Sequence, residues 1–422
     1  MGTAYRTLVL KYNLLRLPPE DAGKVSALLK IQEEFSRWAT EWALSGGRAP
    51  PPRNNPLKYF AHRFLYASRA LDWLMKKSVE VRKMRPPLVF DAQLRLSKER
   101  DIGRGVFINL PLREVRIRKW GGGTLALPLA EKTTEWILAR VHEGGKLVVA
   151  NVWVGASKRS RDVKLHVALV FRREVVPMQP RRLLVIDFNA LHNGIAWAVI
   201  EERKMVIKGV LRPNVSKILH LQKVASKLDS LCAEKDEVCN EASVAKSRMW
   251  RLLRVWEDEA VKKLVRLALQ YKSAIIVDVP EDSSIKELKE GIYASERKIF
   301  LNFGRIRKGL RGLAEWYGIQ YREGRLYSTV CPRCGGKMEE LPNRRVRCAC
   351  GFEAHRDEVP AFWVMKLFPK LISFSSSPFS WKARGACRLA VAARASSGGR
   401  RPAGSPPQTA ALNLPTPGCA GT

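Results

Sequence analysis

Acidic residues are scarce in this chain: 40 Asp and Glu stand against 75 Lys and Arg in 422 residues, a formal net charge of +35. An excess of that size repels itself unless it meets a polyanion, so the composition argues against a self-sufficient neutral scaffold and for a nucleic-acid partner. Membrane-surface binding is the competing explanation of positive charge. However, no apolar run reaches the ~20 residues needed to span a bilayer. Met1 to Lys11 starts polar and alternates like a strand, without the apolar stretch and cleavage site of a signal peptide, so the expected location is the cytoplasm. Cysteine is too sparse for a disulfide scaffold, at 8 residues, and no repeat of fixed period is present. From Phe374 onward there is no Asp or Glu. That stretch is rich in Ala, Ser, Gly, Pro and Arg and reads as a disordered basic tail.

What is present organises into blocks. The length suggests two or three domains. Tyr5 to Tyr12 alternates apolar and polar residues as a strand does. Two helical stretches follow, about Glu20 to Leu44, ending before Gly46-Gly47, and about Pro56 to Lys83, with a Pro-rich linker between them. Short β-type runs then extend from Pro87 to Arg173, punctuated by Gly and Pro. With the first strand they are expected to close a small barrel into which the helices are inserted. A new block opens at Arg181 with a buried strand ending in Asp187, followed by strands Gly194 to Ile200 and Lys204 to Val210. A long helical region, Ser216 to Tyr271, precedes a second buried strand ending at Asp278. A helix over about Ala294 to Tyr317 and a strand near Ile319 to Arg322 lead into a cysteine cluster.

Three carboxylates carry the candidate chemistry. Asp187 and Asp278 each end an apolar strand, where burying an unpaired charge is costly and a bound metal is one remedy. Asp357, in His355-Arg-Asp-Glu-Val-Pro360, precedes an apolar helix, and its other reading is an N-cap. Brought together by a mixed sheet, the three would suit a two-metal phosphodiesterase with Mg ions ~4 Å apart. Hard oxygen ligands suit Mg, so carboxylates rather than His should supply such a site.

The cluster Cys331-Pro-Arg-Cys334-Gly-Gly and Cys348-Ala-Cys350-Gly has the look of a structural zinc ribbon. The second pair has one intervening residue where two are usual, so tetrahedral closure is expected to be strained, with His355 a substitute ligand or the metal lost as alternatives. Cys232, Cys239, Cys387 and Cys419 read as ordinary thiols.

These residues resemble the TnpB (OrfB) family, the transposon-encoded relatives of type V CRISPR effectors. The likeness lies in Val185-Ile-Asp187, in Tyr327-Ser-Thr-Val-Cys331-Pro-Arg-Cys334-Gly, and in Cys350-Gly-Phe-Glu-Ala-His-Arg-Asp357. The helix Ile299 to Trp316 matches the basic helix before the ribbon, and the Tyr5-Arg-Thr strand with Ile31-Gln-Glu-Glu-Phe-Ser-Arg-Trp38 resembles archaeal members. The resemblance covers about residues 1 to 371.

It implies a mixed α/β and β fold. An N-terminal barrel over 1–180, with a helical recognition insert at 20–85, would precede an RNase H-like (RuvC-like) domain over 181–371 that carries a zinc ribbon at 328–353, then the tail 372–422. It also implies a guide RNA from the transposon, a double-stranded DNA target, catalytic Mg on Asp187, Asp278 and Asp357, and structural Zn on Cys331, Cys334, Cys348 and Cys350. In two respects the chain departs from the family: Asp278 stands where Glu is usual, one methylene shorter, with Glu281 three residues on as a substitute, and the Cys348-Ala-Cys350 pair is one residue short. A non-cleaving guide-dependent DNA binder and a DNA-joining transposase are the alternatives, although no Tyr nucleophile beside a paired-His motif is seen.

Overall fold

The structure is a computed structural model, described here over residues 2–53, 56–65, 85–95, 105–118, 123–156, 162–189, 191–232, 238–279 and 303–373. Outside these lie Glu281, the later part of the second helical stretch, the start of the helix expected from Ala294, the tail, and with it Cys387 and Cys419.

Seven strands form the first sheet: β1 (Gly2–Asn13), β2 (Leu88–Arg95), β3 (Gly105–Asn109), β4 (Glu114–Arg118), β5 (Leu125–Pro128), β6 (Lys146–Ala156) and β7 (Val163–Val175), in the order β1-β7-β6-β2-β3-β4-β5. β1 pairs antiparallel with β7 over its whole length, from Gly2 opposite Val175 to Asn13 opposite Lys164. The barrel expected from the sequence is only half closed. No ladder joins β1 to β5 among the described residues, and the two edge strands meet instead where the Tyr12 hydroxyl donates to the Pro128 carbonyl at 3.1 Å. Gly105, with φ +135°, lets β3 approach β2 so closely that a Cβ there would lie 2.5 Å from the Asp91 carbonyl oxygen.

Between β1 and β2 the chain makes α1 (Pro19–Leu44) and α2 (Leu57–Leu65). α1 buries Val25, Leu28, Phe35, Trp38 and Trp42 against the sheet at helical spacing and stops at Gly46 and Gly47, both with positive φ. Its buried Gln32 accepts the Val154 amide at 2.8 Å, which satisfies a strand N–H from outside the sheet. A third helix, α3 (Glu131–His142), was not foreseen. It buries only Ile137 and Arg140, too thin an apolar stripe to register as helical periodicity, and its Thr, Trp, Ile and Val favour strands.

The second sheet has five strands, β8 (Arg182–Phe188), β9 (Ile195–Glu201), β10 (Lys204–Leu211), β11 (Ser273–Asp278) and β12 (Tyr321–Gly324), ordered β10-β9-β8-β11-β12. The three strands contiguous in sequence pair antiparallel, whereas β11 lies parallel to both β8 and β12. Strand periodicity divides its two faces. Leu184, Ile186, Ile275 and Val277 pack under α4 (Val215–Cys232), α5 (Cys239–Gln270) and α6 (Phe303–Tyr317). Leu183, Val185, Ala274 and Ile276 pack under α7 (Val359–Ser373). The long helical region expected over 216–271 is two helices rather than one, turned back on each other. This reversal brings together Cys232 and Cys239, which the sequence offered as independent thiols; they form a disulfide with Cα atoms 4.8 Å apart.

The two sheets are joined through the end of α6. Trp316 is fully buried in the core of the first sheet although its helix packs on the second. Its indole N–H donates to the Glu143 carboxylate at 2.6 Å, and the same carboxylate accepts Tyr317 and Arg140. Arg173 donates to the Trp316 carbonyl at 3.1 Å. Gly145 is obligatory here because a Cβ would sit 2.9 Å from the Trp316 ring. Replacing this ring leaves a large cavity and takes the indole donor from one oxygen of Glu143, whose other oxygen keeps Tyr317 and Arg140. Trp316→Ala should cost about 3–5 kcal/mol, read as a lowered midpoint in thermal or urea unfolding; an unchanged midpoint would refute the joint.

Candidate functional site

Asp187 and Asp278 end the adjacent parallel strands β8 and β11. Val277 stands opposite Ile186, so the following residue of each strand is an aspartate. By strand alternation both point to the face that carries α7. Asp357 reaches the same end of the sheet from a 3-10 turn, Arg356–Glu358, immediately before α7.

Electrostatics ties the three together. Burial, and then the charges of Asp278 and Asp357, push the Asp187 carboxyl up to about 8, against the opposing pull of the Asn189 amide 3.1 Å away and of Arg344. Burial likewise raises Asp278 to about 7, despite the Leu326 amide donating to its Oδ1 at 2.7 Å. The structure therefore gathers the three acids singled out in the sequence. The raised carboxyls of Asp187 and Asp278 are the signature of acids buried without enough compensating charge, which is what a hard divalent cation supplies. The donor set fits Mg, and no nitrogen or sulfur ligand is needed. Asp187, Asp357 and His355 also line an open cleft of about 350 Å³.

Sequence reasoning missed Arg344. It ends a 3-10 turn, Pro342–Arg344, between β13 (Glu339–Leu341) and β14 (Arg345–Arg347), where both Asn343 and Arg344 have φ +58°. This left-handed turn projects the guanidinium out of the ribbon, where it donates to Asn189 Oδ1 at 2.8 Å and to Asp357. Its Nε is buried without a partner. The only signal for it in the sequence was Pro-Asn before a doublet of arginines, and arginine is too common in this chain to single out one.

The four cysteines lie where β13, β14 and β15 (Glu353–His355) form a small antiparallel sheet. Their sulfurs all fall within 4.8 Å of one another, with Cys331 to Cys350 at 3.6 Å and Cys334 to Cys348 at 3.4 Å. A tetrahedral ion with Zn–S bonds of about 2.3 Å needs sulfurs about 3.8 Å apart, so the cluster can hold zinc with little movement.

The expected strain in the second pair is absorbed by a shorter turn. In the first knuckle the Cys331 amide donates to the Gly336 carbonyl at 2.8 Å. In the second the Cys348 amide donates to Phe352, also at 2.8 Å, over one residue fewer. Gly336 donates its N–H to Cys334 Sγ at 3.4 Å and brings that thiol down to about 7, poised to ligate. His355, the alternative ligand, is not part of the cluster. It faces the acids instead, its Nδ1 accepting the Asp357 amide at 3.3 Å.

Residues 303–363, from α6 through the ribbon to the start of α7, match the family model described as "Cas12f1-like, TNB domain". No curated protein matches the chain. Among solved structures it is similar to a Cas12f1–sgRNA–target DNA complex, at 9% identity over 82% of each chain with a TM-score of 0.49. It is similar to a CRISPR-Cas12f ternary complex at 12% identity, over 80% of this chain and 81% of that one, with a TM-score of 0.30. A third, the mini-RNA-guided endonuclease CRISPR-Cas_phi3, is 10% identical over 86% of this chain and 93% of that one, with a TM-score of 0.38.

The raised carboxyl makes a stability prediction. In the unfolded chain an aspartate ionises near pH ~4, whereas Asp187 in the metal-free fold keeps its proton until about 8. The folded protein therefore loses stability as pH rises across that window. Asp187→Asn removes the titration, so its melting temperature in EDTA should match wild type near pH ~4.5 and exceed it increasingly up to about pH 8, then by a constant margin. A gap independent of pH would contradict the assignment.

Proposed function

We propose that this chain is an RNA-guided DNA endonuclease of the TnpB type, in which Asp187, Asp278 and Asp357 would hold Mg ions, whose chemistry there would be activation of water and stabilisation of the leaving oxygen of a phosphodiester. The observation that carries this reading is the convergence of three buried acids at the ends of β8 and β11 and the start of α7, with a ribbon arginine inserted among them. The strand order, three antiparallel strands followed by two parallel ones, supports an RNase H-like domain. A net charge of +35 and the match to a Cas12f1-like TNB model support a guide RNA and a double-stranded DNA target as partners. Among the described residues no helix is long and apolar enough to cross a membrane. In domain terms, residues 1–180 would grip nucleic acid, 181–371 would cut, and 372–422 would be a dispensable tail.

The chain's own groups have separable tasks. The Asn189 amide holds Asp187 Oδ2 and the Leu326 amide holds Asp278 Oδ1, which would orient both carboxylates for a metal. Asp187 and Asp278 would hold a metal only as carboxylates, so both raised carboxyls would have to give up their protons, and Arg344, which donates to Asp357, would stand beside the phosphate. Cys331, Cys334, Cys348 and Cys350 would hold a structural zinc that keeps the turn bearing Arg344 in place.

A second reading, a guided binder that does not cut, is favoured by one observation: the shorter Asp278 already commits an oxygen to Leu326. The deciding experiment is incubation of the protein, purified with its flanking transcript, with Mg and a DNA library that contains a guide-matched target. The nuclease reading expects cutting that falls at least about a hundredfold in Asp187→Ala while target binding persists. Binding without any cut product would instead establish the guided binder.

The zinc assignment has its own check. Metal analysis should find one zinc per chain, and Cys348→Ser should lose it together with several degrees of thermal stability.

A further inference from the structure

The cleft beside the acids has a second wall that the chemistry above does not use. Ala196 and Ala198 of β9 form a floor of small side chains between Asp187 and the edge strand β10. Along that edge Lys208 stands opposite Ala198 and Val210 opposite Ala196, so Lys208 and Val210 share the floor's face, and Arg212 follows at the mouth. Arg212 is exposed and has no ion-pair partner among the described residues. Lys208 donates to Glu358 at 2.7 Å, and this contact spans from β10 to the turn that carries Asp357. The amino-terminal end of α7, at Pro360 and Ala361, closes the far side.

We propose that this groove seats the single DNA strand about to be cut, with the phosphate next to the scissile one bound between Lys208 and Arg212 and its sugar over Ala196 and Ala198. The assignment rests on the nuclease reading for the identity of the strand, but not for the existence of the site. Three features point to a polynucleotide backbone rather than a base or a small metabolite. The alanine floor itself offers no ring to stack on, since the Trp197 ring between the two alanines lies against Gly209 and His355 stands beside Asp357, the two cations are spaced along one strand edge, and the groove runs directly into the acidic cluster. Glu358 is a competitor for Lys208 in the empty protein and is displaced when a phosphate arrives. Lys208 and Arg212 are thus positioning residues, whereas the acids act on the reacting atoms.

The competition gives the test opposite signs. The probe is labelled single-stranded oligothymidylate, titrated by fluorescence anisotropy in EDTA against the full chain over a range of salt concentrations. Lys208→Met and Arg212→Met should each weaken binding roughly fivefold and lower the salt slope by about one, equally for oligothymidylate and oligoadenylate. Glu358→Gln should tighten binding by a similar factor, an outcome that misfolding cannot produce. In cleavage, a neutral methylphosphonate placed one step from the cut should slow the wild type and leave Arg212→Met insensitive to the change. Unchanged affinity in both cation variants, or weaker binding in Glu358→Gln, would overturn the groove while leaving Mg-dependent cutting intact. Failure of cutting with these affinity shifts present would overturn the nuclease reading and leave the groove standing.

Discussion

Three carboxyl groups buried at one end of a sheet cannot all ionise without a compensating cation, and much of this molecule is arranged around that constraint. β8 and β11 must lie side by side and parallel for Asp187 and Asp278 to meet, which requires the crossover through α4 and α5. Asp357 must return to the same end, which is achieved by a ribbon and a short turn before α7. In the absence of metal, partial neutralisation comes from Arg344 and from protons held by raised carboxyls. Such sites are intrinsically destabilising, and the surrounding packing has to be strong enough to hold them.

That packing is supplied largely by apolar strands, and it is linked across the molecule by one helix. α6 places Ile306, Leu310 and Ala314 in the core of the second sheet and Trp316, one residue from its end, in the core of the first. Glu143 accepts from Trp316, Tyr317 and Arg140, so a single carboxylate organises the joint. Immediately after the joint the chain turns at Gly318, φ +71°, and enters β12, the neighbour of β11. The element that connects the two sheets is therefore contiguous with the strand that flanks Asp278.

How much of this could be read in advance depended on whether the signal was local. Asp187 and Asp278 stood out because each ends a run of four or more apolar β-formers, a pattern that survives without tertiary context. Glycines 46 and 47 marked the end of α1 for the same reason. The helix that carries Trp316 was legible, but not the place of Trp316 in another sheet's core, because helical periodicity says nothing of the partner. α3 was invisible because its buried stripe is two residues wide. Arg344 was invisible because its position depends on two successive left-handed residues, neither of them glycine, which only the ribbon's fold imposes. The Cys232–Cys239 pairing needed the reversal of α4 on α5, a long-range fact.

The two features that depart from the expected pattern, the shorter acid and the shorter cysteine knuckle, each meet a backbone hydrogen bond in this fold. β12 runs parallel to β11 with Gly324 opposite Asp278, and two residues later the Leu326 amide meets the shorter side chain at 2.7 Å. Five residues beyond Leu326 comes Cys331, the first ribbon cysteine. The second knuckle closes over one residue fewer, yet returns the chain through β15 to His355 and Asp357. The chain is thus tied to Asp278 on its way into the ribbon and reaches Asp357 on its way out, while the ribbon's central turn brings Arg344 to Asp357 and Asn189. A change in how the four sulfurs are held would be felt at the carboxylates through these short stretches of backbone. Those short stretches of backbone are what make the ribbon and the acidic cluster a single structural unit.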